Sequence, residues 1–161
     1  MRELATQLRS VVEACVPLLL AIEPQAAAQR PAPGKWSRQE ILGHLIDSAG
    51  NNQQKFVRLL IAKGPLEFVG YEQDDWVAAQ HYQTADWRSL VQLWRACNEH
   101  LAWIIAHADP ARLGNTITID GVGPFRLDFV MTDYLEHCKH HLTQVLPAAG
   151  LSSAFANVYG A

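Results

Sequence analysis

Apolar residues in this chain recur at intervals of three and four through four long segments, and almost nowhere at intervals of two. Coiled at 3.6 residues per turn, each segment gains one apolar stripe, and four such stripes are buried most simply against one another. In the first segment the stripe runs through Leu4, Leu8, Val11 or Val12, Cys15, Leu18 or Leu19 and Ile22, which predicts a helix over about 2–27, bent at Pro17. The stretch 29–35 holds Pro31, Pro33 and Gly34, a set that cannot continue a helix.

A second helix begins where Ser37 can cap the free amides and Glu40, three residues on, can return the bond. Its inward stripe reads Ile41, His44, Leu45, Ser48, Asn52, Phe56, Leu59 and Leu60, and Lys63-Gly64-Pro65 ends it. Polar side chains on an inward stripe are unusual. Residues 66–83 read as an irregular excursion rich in aromatics and carboxylates, with at most one helical turn. A third helix is expected over about 86–107, with Leu90, Trp94, Cys97, Leu101 and Ile104 on one side. A fourth is expected over about 127–146, with Val130, Tyr134, His137, Cys138, His141 and Val145 inward. Between them Thr116-Ile117-Thr118-Ile119 alternates and is followed by the turn pair Asp120-Gly121, which makes room for a small hairpin. The fold class is therefore all-α: an antiparallel four-helix bundle with a small hairpin before the last helix, in one domain spanning 1–161.

Composition narrows the function. Thirteen Lys and Arg against sixteen Asp and Glu give −3 with histidine neutral, without a basic run to track phosphates, so nucleic acid is not an expected partner. The apolar run 16–22 contains Pro17 and is flanked by Glu13 and Glu23, so neither a membrane span nor a signal segment is expected, and the setting read from this is cytoplasmic. Three cysteines, Cys15, Cys97 and Cys138, lie far apart without C-x-x-C spacing and read as core residues. After Lys139 there is no charged residue, so the tail 147–161 is expected to lie on the bundle or against another subunit.

His137 and His141 are four apart, about 40° in projection and roughly 6 Å along a helix axis, so two imidazoles can meet one ion. His44 sits on the inward stripe of the second helix, where it can add a third nitrogen. The commoner metal patterns are absent. Glu136 precedes His137, so there is no H-E-x-x-H, and the residues three before His44, His137, His140 and His141 are Ile41, Tyr134, His137 and Cys138, so there is no Glu-x-x-His. His140 also permits an H-x-x-H register, although the apolar stripe favours His141 as the inward partner. His81, His100 and His107 read as solvent-facing. Trp36, Trp76 and Trp94 could wall a pocket but fit a core role better.

The run from Lys35-Trp36-Ser37 through Gly43-His44-Leu45-Ile46-Asp47-Ser48, together with Asp133-Tyr134-Leu135-Glu136-His137-Cys138-Lys139-His140-His141, resembles the two signature helices of the DinB/YfiT-like metalloenzyme family. The resemblance extends over essentially the whole chain. It implies a four-helix bundle with a divalent metal held by one histidine of the second helix and an H-x-x-x-H pair of the last, here His44, His137 and His141. It also implies a small-molecule substrate, in some members a low-molecular-weight thiol such as bacillithiol or mycothiol, and a homodimer. The family's DNA-damage label finds no support in the charge balance.

Three neutral nitrogen ligands favour Ni, Zn, Fe or Co over Mg or Ca, and leave the full +2 charge with at least one open position, the arrangement of a catalytic site. Thiol-dependent S-transfer and hydrolysis are the reactions expected, and a non-catalytic metal-binding bundle with a sensing or self-association role is the alternative. No residue reads as the catalytic base. Asp47, three after His44, and Asp133, four before His137, are placed to accept the second N–H of a ligand imidazole; Gln144, three after His141, and Asn51 are further polar candidates.

Overall fold

The structure is a computed structural model that describes residues 1–159. Four long helices form the frame: α1 (Arg2–Leu20), α3 (Arg38–Ile61), α5 (Trp87–Ala106) and α6 (Leu127–Val145). Two short helices, α2 (Pro24–Ala28) and α4 (Gln73–Ala79), lie in the connections. A three-stranded sheet is formed by β1 (Leu66–Phe68), β2 (Thr116–Ile119) and β3 (Val122–Arg126). Buried side chains from all four long helices join in one continuous core.

Helix directions follow from named bonds. Trp87 Nε1, at the start of α5, donates to the Leu19 carbonyl at the end of α1 at 2.9 Å, so these two run antiparallel. His44, early in α3, meets His137 late in α6, so this pair is antiparallel as well. Gln39, at the start of α3, donates to the carbonyls of Tyr82 and Ala85 just ahead of α5, whereas Asn115, beyond the end of α5, donates to Leu59 near the end of α3. Helices α3 and α5 therefore run parallel, and the connection 62–86 must return along the roughly 36 Å length of α3. Around the bundle, α1 packs on α5, α5 on α3, and α3 on α6.

Local chemistry explains the boundaries. Ser37 and Glu40 form the expected capping box, with Glu40 N–H donating to Ser37 Oγ at 3.2 Å and Ser37 N–H donating to Glu40 Oε2 at 2.8 Å. The first helix is shorter than its spacing suggests. It ends at Leu20, because the chain turns before Pro24, which lacks an N–H and takes the first position of α2. Pro17 is carried inside α1. On α5 the fully buried polar residue is Asn98, while its neighbour Cys97 is half-buried, a shift of one residue from the expected stripe.

The hairpin β2–β3 forms at Asp120-Gly121, where both residues take positive φ (49° and 80°), the conformation a two-residue hairpin turn demands. The excursion 66–83 is more ordered than expected. It supplies β1, parallel to β2 in register Leu66 to Ile117, then α4 and one 3-10 turn at 82–84. Tyr82 lies across Gly43, where an added Cβ would stand 2.2 Å from the ring, so this close approach requires glycine. The tail folds back along its own bundle: Ser153 Oγ donates to the Glu136 carbonyl at 2.6 Å and Tyr159 OH to Asp133 Oδ2 at 2.6 Å, so these residues are spent within the chain. Among the described residues, no helix is long and apolar enough to cross a membrane.

Candidate metal centre

His44, His137 and His141 converge at the end of the bundle where α3 begins and α6 finishes, each with a ligand nitrogen within 4.8 Å of the others. The capping box sets the start of α3, and so the rotation that turns His44 toward α6, where it is 1% exposed. One helical turn separates His137 from His141, and both are half-buried. The rings meet edge to face, with centroids 5.2 Å apart for His44 and His137, 4.7 Å for His44 and His141, and 4.6 Å for His137 and His141.

All three are held neutral. Burial, then the nearby His141, pushes His44 down to about 3; burial, then His140, pushes His141 down to about 4, against a weaker contact from Gln144. Burial, followed by the other histidines and Lys55, holds His137 well below the ordinary imidazole value. Neutral imidazole is the form that ligates.

Several features fit a divalent ion. The Nε2 atoms of His44 and His137 are 3.3 Å apart, within the roughly 3.0–3.4 Å separating two nitrogens bound about 2.1 Å from one ion. Nδ1 of His141 is buried without a hydrogen-bond partner, and so is Nδ1 of His44, the nitrogen that ligation through Nε2 leaves over. Ser48 Oγ lies 3.3 Å from His137 Nδ1; accepting that N–H leaves the Nε2 lone pair for the centre.

The carboxylates are placed differently from expectation. Asp47 does not bond a ligand imidazole: its Oδ1 accepts Gln80 Nε2 at 2.6 Å and Tyr82 OH at 2.8 Å, and its Oδ2 is buried and unpaired. It lies about 60° around α3 from His44, on the side facing α4 rather than α6. Asp133 likewise turns to the tail, where Tyr159 holds it. Gln144 meets His140 Nε2 at 3.1 Å, and its contact with His141 is the one link from these three residues to the triad. The partner that spacing did not single out is Ser48, whose polar place on an inward stripe was the available signal.

Two aromatics border the centre. Trp36 packs on His44 at 5.2 Å and separates it from a cleft of about 410 Å³ whose lining includes Lys35, Ile41, Asp74 and Gln144. Phe155 of the tail stands 5.1 Å from His137 and 5.5 Å from His140. Of the other tryptophans, Trp94 is core and Trp76 is 42% exposed and packed against Tyr71. His81, His100 and His107 are exposed, as their positions imply.

Residues 7–145 match the family model of the DinB superfamily. The chain belongs to the DinB superfamily. Its fold is that of YfiT from Bacillus subtilis, described as a probable metal-dependent hydrolase with an unusual four-helix bundle topology. The two superpose with a TM-score of 0.79 at 17% identity, over 93% of this chain and 87% of that one. No curated protein matches the chain. A DinB-superfamily bundle that brings three neutral histidines together thus has a group able to hold a metal.

Proposed function

We propose that this DinB-superfamily chain is a mononuclear metal-dependent hydrolase of a small molecule, with His44, His137 and His141 holding Ni, Zn, Fe or Co. The observation that carries the reading is the convergence of three uncharged imidazoles at one end of the core, each with a ligand nitrogen within 4.8 Å of the others. The description of YfiT, a protein of the same fold, supports hydrolysis as the reaction. A divalent ion there supplies Lewis acidity, which polarises a carbonyl and acidifies water.

The chain's own residues do the rest. Ser48 fixes the ring of His137 by accepting its Nδ1–H. Trp36 and Phe155 border two sides of the centre, packed on His44 and His137. Asp47, with one oxygen buried and free, is the carboxylate nearest along α3 to His44, and burial raises its pKa.

Metal content by plasma mass spectrometry, followed by a turnover screen on ester, amide and thiol-transfer substrates, tests the reading. Near-stoichiometric metal and hydrolysis that is lost on stripping and in His137→Ala support it. Thiol transfer without hydrolysis keeps the centre but replaces the reaction, and metal-loaded protein inert to both classes makes the bundle a binding protein.

A further inference from the structure

Beyond the triad, α3 carries polar side chains at every position of one face: His44, Asp47, Ser48, Asn51, Asn52 and Lys55. These positions differ by three, four, seven, eight and eleven, so they form a continuous strip along about 16 Å of helix. A strip of this kind on a surface helix faces water, yet here His44, Asp47 and Ser48 are buried and the other three are half-buried. Two walls rise beside it. On one side the connection brings Phe68, with Lys55 Nζ 5.2 Å from its ring centre, and Tyr71, whose hydroxyl feels the charge of Asp47. On the other stand His137, bonded to Ser48, and Tyr159, whose ring centre is 5.8 Å from Lys55 Nζ. The strip is therefore flanked on both sides, with the triad at one end and an ammonium at the other.

Bonding along the strip is incomplete. Asn51 and Asn52 spend their amide N–H groups on the carbonyls of Asp47 and Ser48, one turn back. Asp47, 5% exposed, keeps Oδ2 unpaired. Among the described residues, Lys55 makes no hydrogen bond and no ion pair within 4.0 Å, although two carboxylates are near enough to act on it. Those two are engaged elsewhere: Asp133 accepts from Tyr159, and Asp120 accepts the Gly70 N–H at 2.9 and 3.1 Å. A half-buried ammonium with aromatic walls and three unspent N–H groups lacks an anion.

Resting on the metal-centre reading above, we propose that this strip is the floor of a groove that binds the substrate and that Lys55 anchors a carboxylate of it, three helical turns along α3 from His44. A singly charged carboxylate fits better than a phosphate dianion, because Asp47, Asp120 and Asp133 already place negative charge around the groove. Lys55 is in this account a positioning residue. It sets which molecules bind and how they are oriented, and leaves the chemistry to the triad.

Cobalt-loaded full-length protein tests this with a series of α,ω-dicarboxylates from succinate to suberate, each paired with the monocarboxylate of equal length and followed by calorimetry and the cobalt visible spectrum. In the wild type, the best dicarboxylate should bind about 10-fold or more tighter than its monocarboxylate partner, the value of one charged hydrogen bond. Lys55→Met should abolish that preference with cobalt content unchanged, and Lys55→Arg should keep most of it. Should Lys55→Met fail to fold, Lys55→Gln serves the same comparison. Full cobalt uptake without a dicarboxylate preference, or with one that survives in the Met and Gln variants, overturns the assignment of Lys55 and leaves the metal centre standing. Failure of the wild type to take up cobalt overturns both.

Discussion

Two of the polar groups buried in this bundle are built on opposite principles. Asn98 of α5 and Tyr134 of α6 lie deep between the helices, at 0% and 2% exposure. Asn98 Nδ2 donates to the Trp94 carbonyl at 2.8 Å, and Asn98 Oδ1 accepts the Tyr134 hydroxyl at 2.6 Å. The histidine triad, one turn further along α6, leaves two buried Nδ1 atoms without partners and sets two Nε2 atoms 3.3 Å apart. A buried polar atom without a partner costs about 1–3 kcal/mol, so the second group is the costlier of the two to bury. The first group completes itself within the fold; the second is a cluster able to hold a metal.

The largest effect that separates the two is on metal. His44→Ala and His141→Ala should each lower metal affinity by about 100-fold or more, because one of three ligands is lost. Their metal-free forms should lose only about 1–2 kcal/mol, since the cavity left is partly offset by removing an unpaired nitrogen. Competition with a chelator measures the first and urea unfolding of stripped protein the second. Stripped variants that unfold outright would make the triad a structural group, and the contrast would collapse. His140→Ala should leave metal content unchanged, since His140 is outside the converging set.

The reverse pattern is expected at the paired site. Tyr134→Phe leaves Asn98 Oδ1 buried without its donor, and Asn98→Leu leaves the Tyr134 hydroxyl without its acceptor; each should cost about 1–3 kcal/mol. The double variant should be more stable than the sum of the two losses implies, because both unpaired atoms are then gone. Metal uptake should be unaffected throughout. A loss of metal in Tyr134→Phe would show that the two groups are coupled through α6.

The contrast was unevenly legible in the sequence. The triad could be read because its evidence is local: the capping residues set the rotation of α3, and an i, i+4 pair on α6 needs no knowledge of its neighbours. Asn98 was obscured because one residue is 100° of helix rotation, and an apolar stripe tolerates that error when Cys97 is as plausible inside as its neighbour is outside. Ser48 could be seen as an oddity but not as the partner of His137, which lies 89 residues away. The strand β1 has three residues, too few for alternation to register, and the parallel run of α3 and α5 depends on where the connection 62–86 returns, which its composition does not encode. Asp47 and Asp133 were placed beside the triad by spacing alone; the bonds that turn them away come from Tyr82, Gln80 and Tyr159 in other segments.

A smaller effect sharpens the triad side of the comparison. Ser48→Ala removes the hydroxyl that meets His137 Nδ1 and should weaken metal binding by about 10-fold, at the low end for groups that orient a ligand. Asp47→Asn should leave affinity close to wild type, since Asp47 touches no triad nitrogen. An equal loss in both would mean that Asp47 turns toward the triad when metal binds.

The smallest effect tests whether the triad end is held by charge outside its uncharged interior. Glu40 is buried, and that burial by itself would raise its pKa; the bonds from Arg30 and from the Ser37 amide outweigh it and leave the carboxylate below its ordinary range. The stabilisation from such a group is fully present above the unfolded carboxylate's pKa and is lost as pH falls through the lower folded value. Arg30 is half exposed, so the charge pair is screened, and Glu40→Gln, which keeps an acceptor for the Ser37 amide, should cost about 0.5–1 kcal/mol at neutral pH. As pH falls through that lower folded value the wild type and the variant should converge in urea unfolding, since both then carry a neutral side chain. Subtracting the two curves cancels the protons taken up by the histidines on unfolding, which are common to both proteins. A difference that stays constant down to pH 3 would assign the role of Glu40 to hydrogen-bond geometry at the helix cap, and the triad end would then owe nothing to the ion pair with Arg30.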